Sequence, residues 1–183
     1  MLDKVAWTLN LNFLDISYAK KLTDDGLAYF KERELPIKKL FVNGLTGITA
    51  AGLSDIINCC RATLRVYEGA FMDQEGLNGT FCGPLAHCFE LESIDLTGDS
   101  NVGDDGINLL PKGEIKNEDG KVLEVVGLPK LREAKLCGLV KLSDHGLLKL
   151  TQTTKVLEHL ELTKCEILTE YSIDNILKAN LTL

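Results

Sequence analysis

The chain has little of what breaks or staples a fold. Four prolines stand in 183 residues and no proline-rich linker divides them. No stretch approaches the roughly 20 consecutive apolar residues of a membrane-spanning helix. The opening MLDKVAWTLNLNF has no basic region, apolar core or small-residue cleavage site of a secretory signal, and it is too acidic and arginine-poor for a transit peptide. A basic surplus is missing too: the formal charge is −7 and the isoelectric point about 5.0. That disfavours nucleic acid or an anionic membrane as main partner, since both need a cationic face. The cysteines Cys59, Cys60, Cys82, Cys88, Cys137 and Cys165 form no C-x-x-C pair, and a chain this long builds a core without disulfides. Reduced thiols in an intracellular, cytoplasmic protein are therefore expected.

Chemistry-bearing motifs are scarce. No phosphate-binding loop, dinucleotide fingerprint, nucleophile elbow or H-E-x-x-H appears. DSNVGDDG invites a calcium-loop reading, but Gly103 replaces the fifth-position ligand and Leu110 the closing glutamate. Cys82, His87 and Cys88 lack a fourth ligand for zinc and read as packed thiols beside a surface imidazole. His87, His145 and His159 are scattered. No cofactor, metal site or catalytic residue is expected, and no enzyme.

What the chain does have is a repeat. LEHLELTKCEILTE, residues 157–170, spaces its leucines L-x-x-L-x-L. With Leu160 as anchor, equivalent anchors fall at Leu14, Leu40, Leu64, Ile94 and Ala134. Twelve residues later stand Gly26, Gly52, Gly76, Gly106 and Gly146, then Ser172. Two residues after the anchors come Ile16, Val42, Val66, Leu96, Leu136 and Leu162. L-x-x-L-x-L alternates like a strand with one apolar face. LTDDGL, VGDDGI and LSDHGL then read as helix starts, with Thr23, Ser143 and Thr169 as N-caps and acids at the positive end of the helix dipole. One such unit cannot bury its apolar face alone, so the units must stack. The expectation is an α/β chain of about six strand–helix repeats forming a single domain over 1–183.

Anchor intervals are 26, 24, 30, 40 and 26 residues. The long interval holds an insertion at about 111–127, where EIKNEDGKVLEV has two alternating runs around an Asp-Gly turn and predicts a hairpin.

The pattern resembles leucine-rich repeats, and more narrowly the cysteine-containing subfamily of F-box/LRR proteins, over about residues 9–177. LEHLELTKCEILTEYSI and LNFLDISYAKKLTDDGL carry the resemblance most closely. Only Cys165 fills the family's cysteine column, which otherwise holds Ala19, Leu45, Gly69, Asp99 and Leu139. The resemblance implies a curved solenoid whose parallel sheet lines the concave side. It also implies protein–protein interaction, first of all substrate recognition for an F-box/LRR-type ubiquitin ligase. The F-box itself has no counterpart in this sequence. The alternative is a non-catalytic structural or assembly subunit of a large axonemal or mitochondrial complex.

In such an arc the residues between the core leucines face the partner. The expected partner-binding residues are Phe13, Asp15, Phe41, Arg65, Tyr67, Asp95, Lys135, His159 and Glu161. Phe13, Phe41 and Tyr67 would form an aromatic diagonal with Arg65 alongside, a composition typical of interface hot spots; the alternative reading is that Phe13 and Phe41 stand in for an N-terminal cap or face further residues of a longer chain. Trp7, with Val5 and Leu9, is expected to close the N-terminal end of the core. LKANLTL reads as the start of another strand, leaving that end to a partner or a larger assembly.

Overall fold

A computed structural model describes residues 10–31, 33–72 and 77–180, without the side chains of the last two. Trp7, Val5, Leu9 and Gly76 lie outside the described residues. The chain alternates strands and helices around a parallel sheet of six strands in the order β1-β2-β3-β4-β7-β8. These are β1 (Phe13–Asp15), β2 (Lys39–Phe41), β3 (Val66–Glu68), β4 (Ser93–Asp95), β7 (Glu133–Lys135) and β8 (His159–Glu161). Each is only three residues long, and its middle residue points into the core while both flanking residues face away. The helices α1 (Asp24–Leu27), α2 (Ala50–Cys60), α3 (Cys82–Leu85), α4 (Asp104–Ile107), α5 (Asp144–Thr153) and α6 (Glu170–Asn180) return the chain. Leu53, Ile56 and Ile57 of α2 and Leu147 and Leu150 of α5 are buried in one continuous core with the strand leucines.

The register corrects one repeat. Leu14, Leu40, Tyr67, Ile94, Ala134 and Leu160 are mutual partners, so the third anchor is Tyr67, three residues beyond Leu64. Leu64 is the first apolar residue of its L-x-x-L-x-L, in the place that Ile37, Leu91 and Leu131 hold elsewhere. The pattern is masked because Gly69 stands where the last leucine belongs. A Cβ on Gly69 would lie 2.5 Å from Tyr67 Oη and 2.8 Å from Met72 Cε. The long tyrosine side chain thus fills the space that the neighbouring leucine occupies in other repeats. Met72, not Gly69, stands in the cysteine column, and Gly79, not Gly76, stands twelve residues after the anchor. There the backbones touch: a Cβ on Gly79 would lie 2.4 Å from Gly106 Cα.

Four residues past each anchor the backbone turns left-handed. Tyr18, Gly44, Phe71, Gly98, Gly138 and Lys164 have φ of 59, 61, 58, 79, 75 and 63°. Glycine adopts this conformation freely, whereas tyrosine, phenylalanine and lysine adopt it at a cost of roughly 1–2 kcal/mol. Hydrogen bonds hold the column, from Tyr18 N–H to Asn43 O (2.7 Å), Gly44 N–H to Ala70 O (2.9 Å) and Phe71 N–H to Thr97 O (2.7 Å). The Tyr18 ring lies over Gly44 and the Phe71 ring over Gly98.

Of the expected N-caps, Ser143 accepts from His145 N–H and Thr169 from Tyr171 N–H. Thr23 occupies the cap position without a side-chain bond, and Thr49 caps α2 from two backbone N–H groups.

The insertion contains the antiparallel hairpin β5 (Glu114–Lys116) and β6 (Val122–Val125). Its base is a glycine neck, where Gly113 O accepts from Val126 N–H (2.8 Å) and Gly127 N–H (3.3 Å). A Cβ on Gly113 would lie 2.0 Å from Ala86 O, so no larger residue fits there.

Candidate functional site

Because helices cover one face of the sheet, the residues flanking each anchor form two columns on the other. The first column reads Phe13, Lys39, Val66, Ser93, Glu133, His159, and the second reads Asp15, Phe41, Glu68, Asp95, Lys135, Glu161. All twelve are exposed or half-buried. Seven expected residues therefore share this open face: Phe13, Asp15, Phe41, Asp95, Lys135, His159 and Glu161.

Two expected residues do not belong to it. Tyr67 is fully buried at an anchor position, its ring centroid 6.3 Å from that of Phe81. Arg65 sits ahead of β3 on the edge where the chain enters the strands, paired with Glu92 at 3.3 Å and Glu90 at 3.9 Å. Lys130 joins Glu90 at 2.6 Å, and Arg132 pairs with Glu158 along the same edge. The aromatic diagonal thus reduces to two residues. Phe13 and Phe41 meet edge-to-face with centroids 5.0 Å apart at 74°, and Phe13 stays 44% exposed. Glu68, opposite Phe41, is absent from the expected set because Leu64 as third anchor puts Arg65 in its place. Leu64-x-x-Tyr67-x-Gly69, aligned by its first apolar residue, is the signal that would have placed it.

Beyond the aromatic pair the face is polar and internally bonded. Asn43 Nδ2 donates to Glu68 Oε2 at 3.4 Å and to Ser17 Oγ at 3.3 Å, while its Oδ1 accepts from Ala70 N–H at 2.8 Å. Asp15 and Asp95 each accept a backbone N–H two residues on, at 2.9 Å, which fixes their carboxylates. Ser93 Oγ donates to Glu133 Oε2 at 2.9 Å, and Lys135 sits 3.4 Å from Glu133 Oε1. The Ser93 hydrogen bond, outweighing partial desolvation, holds Glu133 below the usual carboxylate range. Partial burial pulls Lys135 down, but Glu133, Asp95 and Glu161 outweigh it and raise its pKa. His159 Nε2 lies 2.9 Å from Glu161 Oε1, a contact that lowers the pKa of Glu161. Cys137 Sγ reaches Glu161 Oε2 at 3.7 Å, so the carboxylate stands between thiol and imidazole.

The sum is acidic. Asp15, Glu68, Asp95, Glu133 and Glu161 face Lys39 and Lys135, with His159 at one end. A partially desolvated acidic surface with an aromatic pair at one side is suited to docking a basic polypeptide.

Cys82 and Cys88 are buried, and desolvation raises both thiols, Cys88 to about 12. His87 Nδ1 lies 3.2 Å from Gly83 O. Among the described residues no three His, Cys, Asp or Glu side chains are grouped to hold a metal ion, and no helix is long and apolar enough to cross a membrane.

No family model matches the chain, and no curated protein matches it. Among solved structures it is similar to a chain in the crystal structure of a Rad7 and Elc1 complex in yeast, with a TM-score of 0.68 at 16% sequence identity. The match covers 93% of this chain and 41% of that one, and at this identity it shows the fold alone: mixed α/β with a mostly parallel sheet, the architecture of a chain found in a protein complex.

Proposed function

We propose that the chain is a leucine-rich-repeat solenoid that recognises another protein on the open face of its sheet and carries out no catalysis. The observation that carries this is the face itself, where exposed Phe13 packs on half-buried Phe41 beside fixed carboxylates from Asp15 to Glu161. Aromatics anchor interfaces, and a surplus of one charge speeds encounter with a partner of the other. The partner chemistry that fits is a basic segment with an apolar residue at one end. In its most specific form the function is substrate recognition for a ubiquitin ligase of the F-box/LRR type. The likeness to a chain crystallised in a protein complex supports an interaction role.

A structural or assembly subunit is the second reading, favoured by a different observation. Tyr171, Ile173 and Leu177 are exposed apolar residues of one helix, α6. A permanent neighbour would cover them.

An affinity capture from native cell extract separates the two. Intact chain is compared with a Phe13→Ala, Phe41→Ala double variant, and the anchor Tyr67 is left untouched. Cullin-adaptor proteins together with a client lost in the double variant support recognition. A fixed set of proteins retained equally by both variants supports the structural role and removes the open face as the site.

A further inference from the structure

The hairpin creates a second cleft, away from the open face. Its volume is about 630 Å³, within the range of sites that hold small ligands and short peptides. One wall is β5. The other is the turn after α2, with Arg61 and Ala62, and the turn after α3, with His87 and Phe89.

Two properties of the cleft point to one kind of occupant. The first is an unpaired strand edge. Residues of an antiparallel ladder aim alternately at the partner strand and away from it. Gly113 faces β6 by accepting from Val126 N–H, and Glu114 is opposite Val125, so the backbone N–H and C=O of Glu114 turn outward. That edge borders the cleft. An isolated two-stranded hairpin is short of hydrogen bonds and of burial, and Ile115 is half-exposed in the cleft wall beside Phe89.

The second property is charge. The two carboxylates in the wall are already engaged, Glu90 by Lys130 at 2.6 Å and Glu114 by Lys116 at 3.1 Å. Arg61 is exposed and makes no ion pair among the described residues. The cleft therefore presents a solvated guanidinium not engaged by any carboxylate among the described residues, together with the His87 imidazole, whose Nδ1 is held at Gly83 O.

We infer that the cleft takes an extended polypeptide segment which adds as a strand to β5 and places an acidic side chain against Arg61. Main-chain hydrogen bonds to Glu114 and Lys116 supply affinity, the apolar strip of Ala62, Phe89 and Ile115 takes alternate side chains, and Arg61 selects for the acid. The site is independent of the open face, which is itself acidic and selects the opposite charge.

The test uses the full chain. A phage-displayed library of random linear 12-residue peptides is selected against it, and the enriched peptide, labelled with fluorescein, is titrated by fluorescence anisotropy. The expected result is a peptide with alternating β-branched residues and an Asp or Glu. Arg61→Glu and Glu114→Pro should each weaken it at least tenfold, while Phe41→Asp leaves it unchanged. Proline at Glu114 removes an outward N–H and also the carboxylate that engages Lys116, so Glu114→Gln, which keeps the N–H and loses the charge, is the control and should bind as wild type does. If the proline unravels the hairpin by circular dichroism, hydrogen-exchange protection of the Glu114 and Lys116 amides in the wild type, gained on peptide saturation, serves instead. Failure to enrich any peptide overturns the proposal. So does loss of binding with only one of the two features, because strand addition and acid recognition are both required.

Discussion

Asp144 holds Thr169 by two hydrogen bonds at once, accepting from its backbone N–H at 2.9 Å and its hydroxyl at 2.5 Å. Thr169 Oγ1 in turn accepts from Tyr171 N–H, so one hydroxyl both caps its own helix and joins the helix before it. Asp24 holds Thr49 in the same way (2.9 and 2.6 Å), and Asp104 holds Ser143 (2.8 and 2.5 Å). The acid at a helix start, which a single repeat would use against its own dipole, instead locks adjacent repeats together.

Asp144→Ala is accordingly expected to cost about 1–2 kcal/mol, the scale of a lost cap and a charged hydrogen bond. Thermal melting of the variant checks it. The pH dependence has a definite sign. The Thr169 hydrogen bonds depress the pKa of Asp144, so its contribution is complete above the ordinary aspartate value of about 3.9 and is lost as pH falls through the folded value. Urea midpoints measured between roughly pH 5 and 3 should fall more steeply for wild type than for Asp144→Asn.

Tyr67 separates core from surface. Its hydroxyl is buried without a hydrogen-bond partner among the described residues. Tyr67→Phe is therefore expected to be neutral or to stabilise by up to about 1–3 kcal/mol, while Tyr67→Ala costs about 3–5 kcal/mol. Denaturant melts showing both substitutions near neutral would return Tyr67 to the surface.

The Phe13–Phe41 contact is measurable without any partner. Single and double alanine variants should show a coupling of about 0.5–1.5 kcal/mol, typical of edge-to-face rings. Additive effects in that cycle would mean the pair does not persist in solution.

Gly44→Ala should destabilise by at least about 1–2 kcal/mol, because an L-residue is forced to a left-handed φ. The new Cβ would also lie 2.4 Å from the Tyr18 ring. A Tyr18→Ala, Gly44→Ala pair is expected to recover the ring clash and not the backbone strain. A double variant no more stable than Gly44→Ala alone would argue that the ring is not involved.

Much of this architecture was readable beforehand because stacking leaves a regular record. Apolar residues return at nearly constant intervals, and glycines return where helices approach too closely for a side chain, as at Gly106. The third repeat alone breaks the interval, because Tyr67 occupies space that two residues fill elsewhere and Gly69 leaves the pattern blank. Of the site, the alternation of the strands placed seven residues on the open face. It could not place Glu68, which depended on that register, nor the ion pairs that hold Arg65 at the sheet's edge. The left-handed column was also hidden, since Tyr18, Phe71 and Lys164 give no hint in composition of a conformation that glycine usually marks.

The glycine neck of the insertion makes the hairpin separable from the rest of the chain. The interval from Ile94 to Ala134 is 40 residues where the preceding one is 27, and residues 114–126 account for the excess. The strand enters and leaves at one point, so the sheet on either side keeps its register whatever the loop contains. The length and sequence of the hairpin are therefore uncoupled from the pairing of Ile94 with Ala134. The neck is a graft point, where foreign segments can be displayed without renegotiating the core.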